Sequence, residues 1–371
     1  MKNLSFLLLF ISLAALQMSA ALPDSTLRRY ATQMLMVGFR GDSITCTSDA
    51  ARYIRDLKVG GIILFDVDLT GSAKIGSRNI TSREQLKKLT SDLRSYADYD
   101  LLIAVDQEGG RVCRLKTEYG FNPTVSAEHL GKIDNRDTTS HYAAKIAAEM
   151  ADVGLNVNLA PDIDVNTNPE CPVISKLHRS FSSDTAVVAR NAEWFIDEHH
   201  SRGILCAVKH FPGHGSATAD SHYGLTDVTK TWHPSELAPF KYLINKGKID
   251  MVMTAHIFNR NFDNDYPATL SKTIINDLLR HQLGYDGIVL TDDMYMQGII
   301  DNYDIRHAII LAINAGADML ILGNNISTGF EPDRPFKIVN MIIDAVKKGE
   351  INENRIIESH ERIERLKEKL F

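Results

Sequence analysis

The sequence predicts an α/β protein built as a single (β/α)8 barrel of the TIM type. Short apolar runs alternate with amphipathic helical patterns eight times along the 371 residues. The runs are rich in Val, Ile, Leu and Met, as expected of strands that are covered on both faces. A doubly wound sheet is the alternative, but no GxGxxG follows the first run, which favours the barrel.

Each predicted strand is an apolar run of strand length that precedes a helical or polar stretch. In chain order, the eight runs cover residues 34–39, 60–65, 101–107, 155–165, 204–211, 250–256, 287–293 and 317–323.

The segments between the runs carry helix signals. Residues 81–97 open with Thr81 and have Glu84 three residues later, which is the pattern of a capping box. Residues 234–247 read as a helix that Pro239 must bend or delay. A further helix is predicted over 271–284, because this segment starts with serine, stops at glycine and has helical spacing between them.

The N-terminus resembles a processing signal. Lys2 is followed by an apolar run at 4–16 and by small residues up to Ala21. We therefore expect a signal peptide at 1–21 and a catalytic barrel domain at 22–371, exported to the periplasm or secreted, with no membrane span in the mature chain. An uncleaved N-terminal anchor is the alternative.

The charge of the chain bears on nucleic-acid binding, and its cysteine content bears on disulfides. The chain has 41 basic and 47 acidic residues, a net charge of -6, and no basic block, so nucleic-acid binding is not expected. The four cysteines form no CxxC pair, so spacing assigns no disulfide. Cys206 lies in an apolar run and is expected to be a buried thiol.

Polar residues follow several of the apolar runs at the point where each run ends. Because the carboxyl ends of barrel strands meet on one face, we expect these side chains to line an active site. They are Asp106 at the end of strand three, Asp162 and Asp164 in strand four, Lys209 and His210 in strand five, His256 at the end of strand six, and Asp292 and Asp293 in strand seven.

Two of these strand ends allow more than one interpretation. A carboxylate at a barrel mouth is a natural nucleophile or base, whereas Asp293 could instead cap the following helix. In VDQEGGRVCR, Asp106 and Arg114 flank a predicted tight turn and could bind a polar ligand. An internal ion pair, with Asp106 or Glu108 as the acid, explains that segment equally well.

The stretch KHFPGHGSATADSH, residues 209–222, is the densest cluster of polar groups. A metal site at His210, His214 and His222 would be expected with HxH or HExxH, and both motifs are missing. Asp220 and His222 can touch across one residue, which favours acid–base chemistry. The glycines and alanines before this pair suggest a loop that moves, with a rigid loop and a structural Asp–His hydrogen bond as the alternative.

In this order, VDQEGGRV, KHFPGHGSATADSH and DGIVLTDDM resemble glycoside hydrolase family 3, and within it the bacterial β-N-acetylglucosaminidase (β-hexosaminidase) branch. The resemblance runs from about Leu35 to Leu322. Two departures are Tyr295, where a small residue is usual, and Cys113, where Gln is common. Tyr295 could narrow the sugar pocket.

The resemblance implies a retaining β-N-acetylhexosaminidase with no cofactor and no metal. Asp292 would be the nucleophile, and His222 the general acid/base paired with Asp220. The substrate would carry terminal N-acetylglucosamine, from peptidoglycan or chitooligosaccharides, and the protein would be a monomer. A phosphorylase on the same fold and a non-catalytic sugar-binding barrel are the alternatives. The residues implied to bind the sugar are Asp106, Arg114, Arg179, Lys209 and His210.

Overall fold

Eight parallel strands close into a barrel in the computed structural model of this chain. The structure describes residues 22–69, 73–220, 224–326 and 329–370. The barrel closes because β1 pairs in parallel with both β2 and β8, in the registers Met36↔Gly61 and Leu35↔Leu320. The strands are β1 Leu35–Gly38, β2 Gly61–Ile63, β3 Leu102–Val105, β4 Val157–Asn158, β5 Leu205–Phe211, β6 Met251–Thr254, β7 Ile288–Asp293 and β8 Met319–Leu322.

Every strand lies within the range predicted for it, and the predicted (β/α)8 fold class is confirmed. The strands are buried almost throughout, because helices cover their outer face and side chains fill the barrel interior. Continuous burial explains why these segments read as unbroken apolar runs. Cys206 in β5 is a fully buried free thiol, as expected.

Helices surround the barrel between consecutive strands. Two helical segments, Tyr53–Leu57 and Thr273–Gln282, are π-helical. The α-helices are α1 Asp24–Gln33, α2 Asp49–Arg52, α3 Arg83–Ser95, α4 Ala127–Ile133, α5 Arg136–Asp152, α6 Thr185–His200, α7 Ala238–Asn245, α8 Gln297–Ile300, α9 Ile305–Ala315, α10 Arg334–Lys347 and α11 Glu353–Lys367.

The helix starts differ from the predictions in one detail. The capping box predicted at Thr81 and Glu84 is wrong by one residue, because the N-cap of α3 is Ser82, whose hydroxyl accepts from Gln85 N at 3.1 Å. The Gln85 side chain accepts in return from Thr81 N at 2.9 Å. Pro239 acts as predicted, since a 3-10 turn comes first and α7 begins only at Ala238.

The N-terminal features predicted from the sequence have a limited counterpart in the structure. The predicted signal peptide at 1–21 lies outside the described residues. Within the part of the chain that the structure describes, no helix is long and apolar enough to cross a membrane. The first described helix, α1, packs against α10 and α11 beside the barrel.

Candidate active site

A cleft of about 450 Å³ opens at the carboxyl ends of the barrel strands. Strands β3 and β7 and the loops after β2 and β8 supply its walls. Polar and apolar groups share the lining, and the apolar groups come largely from the β2, β7 and β8 sides. The lining includes Asp66, Val67, Leu69, Asp106, Arg114, Asp292, Asp293, Tyr295, Met296, Ile300, Asn325 and Ile326.

The two carboxylates at the end of β7 have different surroundings. Asp293 N donates to Asp292 Oδ1 at 2.8 Å, which orients the Asp292 carboxylate at the cleft. The Asp293 carboxylate instead accepts from Tyr295 N at 3.0 Å and from Gly323 N at 3.2 Å. Asp293 therefore fastens the turn after β7 to the end of β8.

Asp293 does not cap a helix, contrary to one of the predicted possibilities. The N-cap of α8 is Met296, and its side chain makes no capping hydrogen bond. Burial raises the pKa of Asp293 to about 6. His256 Nε2 lies 2.9 Å from Asp293 O and must carry a proton there, because a carbonyl oxygen only accepts. His256 thus buttresses the end of β7.

The turn after β3 is built as the sequence predicts. Gln107–Gly109 and Val112–Cys113 form a small antiparallel hairpin. Gly110 has φ +62°, and a Cβ there would lie 2.8 Å from Ser126 Cα, so both conformation and space require glycine. Gln107 Oε1 accepts from Arg114 N at 2.9 Å, which positions Arg114 at the cleft.

Glu108 links two of the predicted sugar-binding residues. Its carboxylate pairs with both Nε and Nη2 of Arg179, at 2.8 and 2.7 Å, in a bidentate arrangement. The same carboxylate lies 2.7 Å from Lys209 Nζ. Lys209 also donates to Asp106 Oδ1 at 2.7 Å, and Arg114 lies 3.7 Å from Asp106. An internal ion network therefore exists behind the cleft, and Asp106 and Arg114 connect the network to the cleft.

The charges of this network stabilise one another. Burial alone would raise the pKa of Glu108, but Arg179 and Lys209 hold it well below its usual range. Burial likewise opposes ionisation of Asp106, whose pKa is nevertheless lowered by Lys209 and Arg114. Burial favours neutral Lys209, yet Asp106 and Glu108 raise the pKa of its ammonium group. All these groups are therefore charged at neutral pH.

His210 is fixed by Asp164, which lies in the segment after β4 and not in the strand, as does Asp162, contrary to the prediction for both. Its Nδ1 lies 2.7 Å from Asp164 Oδ2, and its backbone N donates to Asp164 Oδ1 at 3.2 Å. Burial opposes ionisation of Asp164, but the His210 ring keeps the pKa of that carboxyl group below its usual value. Burial and the Asp164 charge raise the pKa of Asp162. Arg179 is 3.3 Å from both Asp162 Oδ2 and His210 Nε2.

Within the described part of the chain, Asp162, Asp164 and His210 form a group that could hold a metal ion. Their ligand atoms lie within 4.8 Å of one another. The Arg179 guanidinium, however, already contacts Asp162 and His210 and supplies positive charge at this point. A cation would meet electrostatic repulsion there, so the donor set fits an ion network better than a metal centre.

The stretch 209–222 divides into a packed part and an exposed part. Residues 211–217 are buried, whereas Thr218 and Ala219 are exposed and Asp220 is partly buried. His222 lies outside the described residues. His214 is buried, and its backbone N donates to Asp164 Oδ1 at 2.7 Å, which fits a role in shaping the turn.

The small residues of this stretch reflect packing. A Cβ on Gly215 would lie 1.8 Å from Val165 O, and a Cβ on Gly213 would lie 2.6 Å from Glu236 Cβ. Ala217 has no exposed surface. Packing in this structure accounts for the small size of Gly213, Gly215 and Ala217, and the moving loop stays a prediction.

Tyr295 borders the cleft, as its position after β7 suggested. The Arg334 guanidinium carbon lies 3.9 Å from the centroid of the Tyr295 ring. Such a close cation–π contact holds the ring against the start of α10. Tyr295 is thus held as part of the cleft wall, and its narrowing of the sugar pocket stays a prediction.

Sequence reasoning missed the central role of Glu108. The sequence suggests Glu108 only as one possible ion-pair partner of an arginine. In the structure Glu108 contacts Arg179 and Lys209, which are 71 and 101 positions away. Its acidic neighbour Asp106 was the stronger signal because it ends a strand. Asp164 was noted as a strand-end residue, but nothing in the sequence indicated that it would orient both His210 and His214.

A family profile described as "Glycosyl hydrolase family 3 N terminal domain" matches residues 26–366. The chain is 34% identical to Beta-hexosaminidase A of Pseudoalteromonas piscicida, over 89% of this chain and 57% of that protein. It is 36% identical to a Beta-hexosaminidase of Tolumonas auensis, over 76% of this chain and 80% of that protein. The chain thus spans little more than half the length of the first relative.

Solved structures of proteins with related names superpose on this chain. A family 3 β-N-acetylglucosaminidase from Paenibacillus sp. str. FPU-7 superposes with a TM-score of 0.83 at 34% identity, covering 94% of this chain and 63% of that one. A Beta-N-acetylhexosaminidase from Beutenbergia cavernae superposes with a TM-score of 0.81 at 27% identity. That match covers 94% of this chain and 100% of the other.

Proposed function

Because the chain belongs to glycosyl hydrolase family 3, we propose that it is a retaining exo-β-N-acetylglucosaminidase. The observation that carries this proposal is the Asp292 carboxylate, which meets Asp106 and Arg114 in one cleft. The hexosaminidase and N-acetylglucosaminidase names of the relatives support the sugar class. The substrate would be a carbohydrate that ends in non-reducing β-N-acetylglucosamine.

The proposed reaction has two steps. In the first, a carboxylate oxygen of Asp292 bonds to the anomeric carbon, while His222 gives its proton to the departing glycosidic oxygen. In the second, His222 takes a proton from water, and the water oxygen displaces Asp292 from the same carbon. Asp220 would orient His222 and stabilise its charged form.

The ion network behind the cleft would hold the sugar that is to be transferred. Asp106 can accept and Arg114 can donate hydrogen bonds to its hydroxyl groups from the cleft wall. Lys209, His210 and Arg179 would act mostly by fixing that wall, since they are 2%, 7% and 8% exposed. A charged, preorganised wall strengthens contacts that form as the transition state develops.

We propose peptidoglycan fragments as the natural substrate, with chitooligosaccharides as the rival class. A substrate from the cell wall would suit an exported protein, and Lys2, the apolar residues 4–16 and the small residues before Leu22 support export. We also propose that the protein acts as a monomer.

A rate comparison tests this function. The enzyme would be incubated with a chromogenic β-N-acetylglucosaminide, with muropeptides and with chitobiose, each with and without inorganic phosphate. We expect cleavage of all three, faster initial rates on muropeptides, and free N-acetylglucosamine as the product in both buffers.

Each of the other possible outcomes would contradict one specific part of the proposed function. Equal or reversed rates on muropeptides and chitobiose would contradict the cell-wall assignment. N-acetylglucosamine 1-phosphate in the phosphate buffer would make the enzyme a phosphorylase. Binding of chitobiose without cleavage of any substrate would indicate a non-catalytic sugar-binding barrel.

A further inference from the structure

A buried glutamate lies behind the segment that leads to Asp220. Glu236 belongs to the 3-10 turn Pro234–Leu237 that precedes α7, and it has no exposed surface. Its carboxyl group faces residues 213–216 and lies outside the set that lines the cleft. Glu236 therefore cannot be assigned to the chemistry or the sugar contacts described above.

The contact between Glu236 and this segment is close. A Cβ on Gly213 would lie 2.6 Å from Glu236 Cβ and 2.8 Å from its Oε2, so the backbone packs directly on the side chain. Glu236 Oε2 and Ser216 Oγ are buried near each other, and neither atom has a hydrogen-bond partner among the described residues. Trp232, just before the turn, donates from Nε1 to Pro212 O at 3.1 Å.

The opposite side of the segment is held by the loop after β4. Asn168 N donates to Gly215 O at 3.2 Å, and Asn168 Nδ2 donates to Ala217 O at 2.9 Å. Residues 212–217 thus lie between Asn168 and Glu236. Exposure begins immediately afterwards, at Thr218, so the clamped residues directly precede the exposed segment that leads to Asp220.

We propose that Glu236 is a positioning residue: with Asn168 opposite, its carboxyl group holds residues 212–217 in place and so sets the position of Asp220. The inference rests on the proposed function, in which Asp220 orients the acid. In its neutral form the Glu236 carboxyl group packs against Gly213 and Ser216 without placing a charge in the interior. Ionisation would place a buried negative charge near Asp164 and weaken the clamp, so the clamp is strongest in the neutral form.

The surroundings of Glu236 keep it neutral in weak acid. Burial and the nearby Asp164 charge raise the pKa of Glu236 to about 7, although the proximity of Ser216 and the donation from His233 N to Oε1 at 3.3 Å act in the opposite direction. The groups that face it are Ser216, Asp164 and His233. Below pH 7 the carboxyl group is protonated, and above pH 7 a buried negative charge replaces it.

Two variants separate positioning from mere packing. Glu236→Ala removes the clamp, and we expect kcat on chitobiose to fall roughly 10- to 100-fold, as for a small misplacement of a catalytic group. The kcat on a nitrophenyl substrate should fall far less, because a good leaving group needs little help from an acid. Glu236→Gln cannot ionise and retains an N–H donor, so its ratio of kcat at pH 8 to kcat at pH 6 should exceed that of the wild type.

Hydrogen exchange of the peptide 211–220 gives a readout without substrate. Exchange should be faster in Glu236→Ala than in the wild type, and in the wild type it should accelerate above pH 7 beyond the intrinsic pH effect. Glu149→Gln is a matched control, because Glu149 is also buried but accepts from Asn122 N at 2.9 Å, away from the cleft. It should change neither the pH ratio nor this exchange.

Three results would overturn the inference: equal losses on both substrates in Glu236→Ala, a wild-type pH ratio in Glu236→Gln, or unchanged exchange of 211–220 in Glu236→Ala. A wild-type enzyme that cleaves no β-N-acetylglucosaminide would instead overturn the proposed function. The exchange experiment would still decide whether Glu236 holds the segment.

Discussion

At the scale of single residues, the two adjacent carboxylates of β7 show how surroundings assign roles. Asp293 is tied to two backbone N–H groups and is partly neutral near pH 6, because burial raises its pKa to about 6. Asp292 is oriented by Asp293 N and borders the cleft. Asp292 is therefore the better candidate for attack on a sugar, and Asp293 for support of the turn.

Substitution of the proposed nucleophile and acid should have different signatures. Asp292→Asn should lower kcat on every substrate by roughly 10⁴-fold or more, as expected when a covalent nucleophile is lost. His222→Ala should cost roughly 10²- to 10⁴-fold on chitobiose but much less on a nitrophenyl substrate. Steady-state kinetics on the two substrates measure both effects.

Asp286→Asn is a suitable control for these variants. Asp286 is exposed and pairs with Arg362 and Arg365, away from the cleft. It should retain wild-type kcat. Equal losses on the two substrates in His222→Ala would remove the proposed acid, and activity in Asp292→Asn would remove the proposed nucleophile.

At the scale of elements, the bottom of the barrel depends on one buried carboxylate. Asp318 precedes β8 and has no exposed surface. Its Oδ2 accepts from Val289 N at 2.9 Å, which ties it to β7. It also pairs with Arg280 of the π-helical segment and with Arg355 of α11, so one side chain joins two strands and two helices.

Removal of this carboxylate should destabilise the fold. Asp318→Ala leaves the partly buried Arg280 without its acid and Arg355 with only the exposed Glu358, and we expect a loss of about 3–5 kcal/mol in the free energy of unfolding. Asp286→Ala, which removes an exposed partner of Arg362, should cost no more than about 1 kcal/mol. Urea denaturation measures the free energy of unfolding of both variants. Equal losses of this free energy would contradict a larger contribution from the buried Asp318 cluster.

The elements were predictable where burial leaves a pattern in the chain. All eight strands were predicted because strands covered on both faces are continuously apolar. The exact cap of α3 was not, because Thr81 and Ser82 are both acceptable caps and both precede a suitable partner. The π-helical geometry of Thr273–Gln282 has no signal in the spacing of apolar residues.

The candidate site was predictable in its members and less so in its contacts. Asp106, Lys209 and Asp292 end strands, and closure of the barrel brings strand ends together. The contacts of Glu108 with Arg179 and Lys209 depend on how two loops fold, which no local pattern shows. The small residues Gly213 and Gly215 predict a loop that moves, whereas the structure shows that close approach of other chain segments also requires their small size.

At the scale of the whole molecule, the barrel converts distant sequence positions into one site. Asp106 and Asp292 are 186 positions apart, yet they line the same cleft. The ion network fixes one wall, and the turn of Asp293 and Tyr295 fixes another. A rigid site of this kind suits a reaction in which one carboxylate must attack from one side of a sugar ring.

The stereochemistry of the reaction is the most direct test of a covalent intermediate on Asp292. Hydrolysis of a nitrophenyl β-N-acetylglucosaminide would be followed by ¹H NMR during its first minutes. We predict that the β-anomer of N-acetylglucosamine appears first and then equilibrates with the α-anomer, because two displacements at the anomeric carbon retain its configuration. Initial appearance of the α-anomer would contradict a covalent intermediate on Asp292.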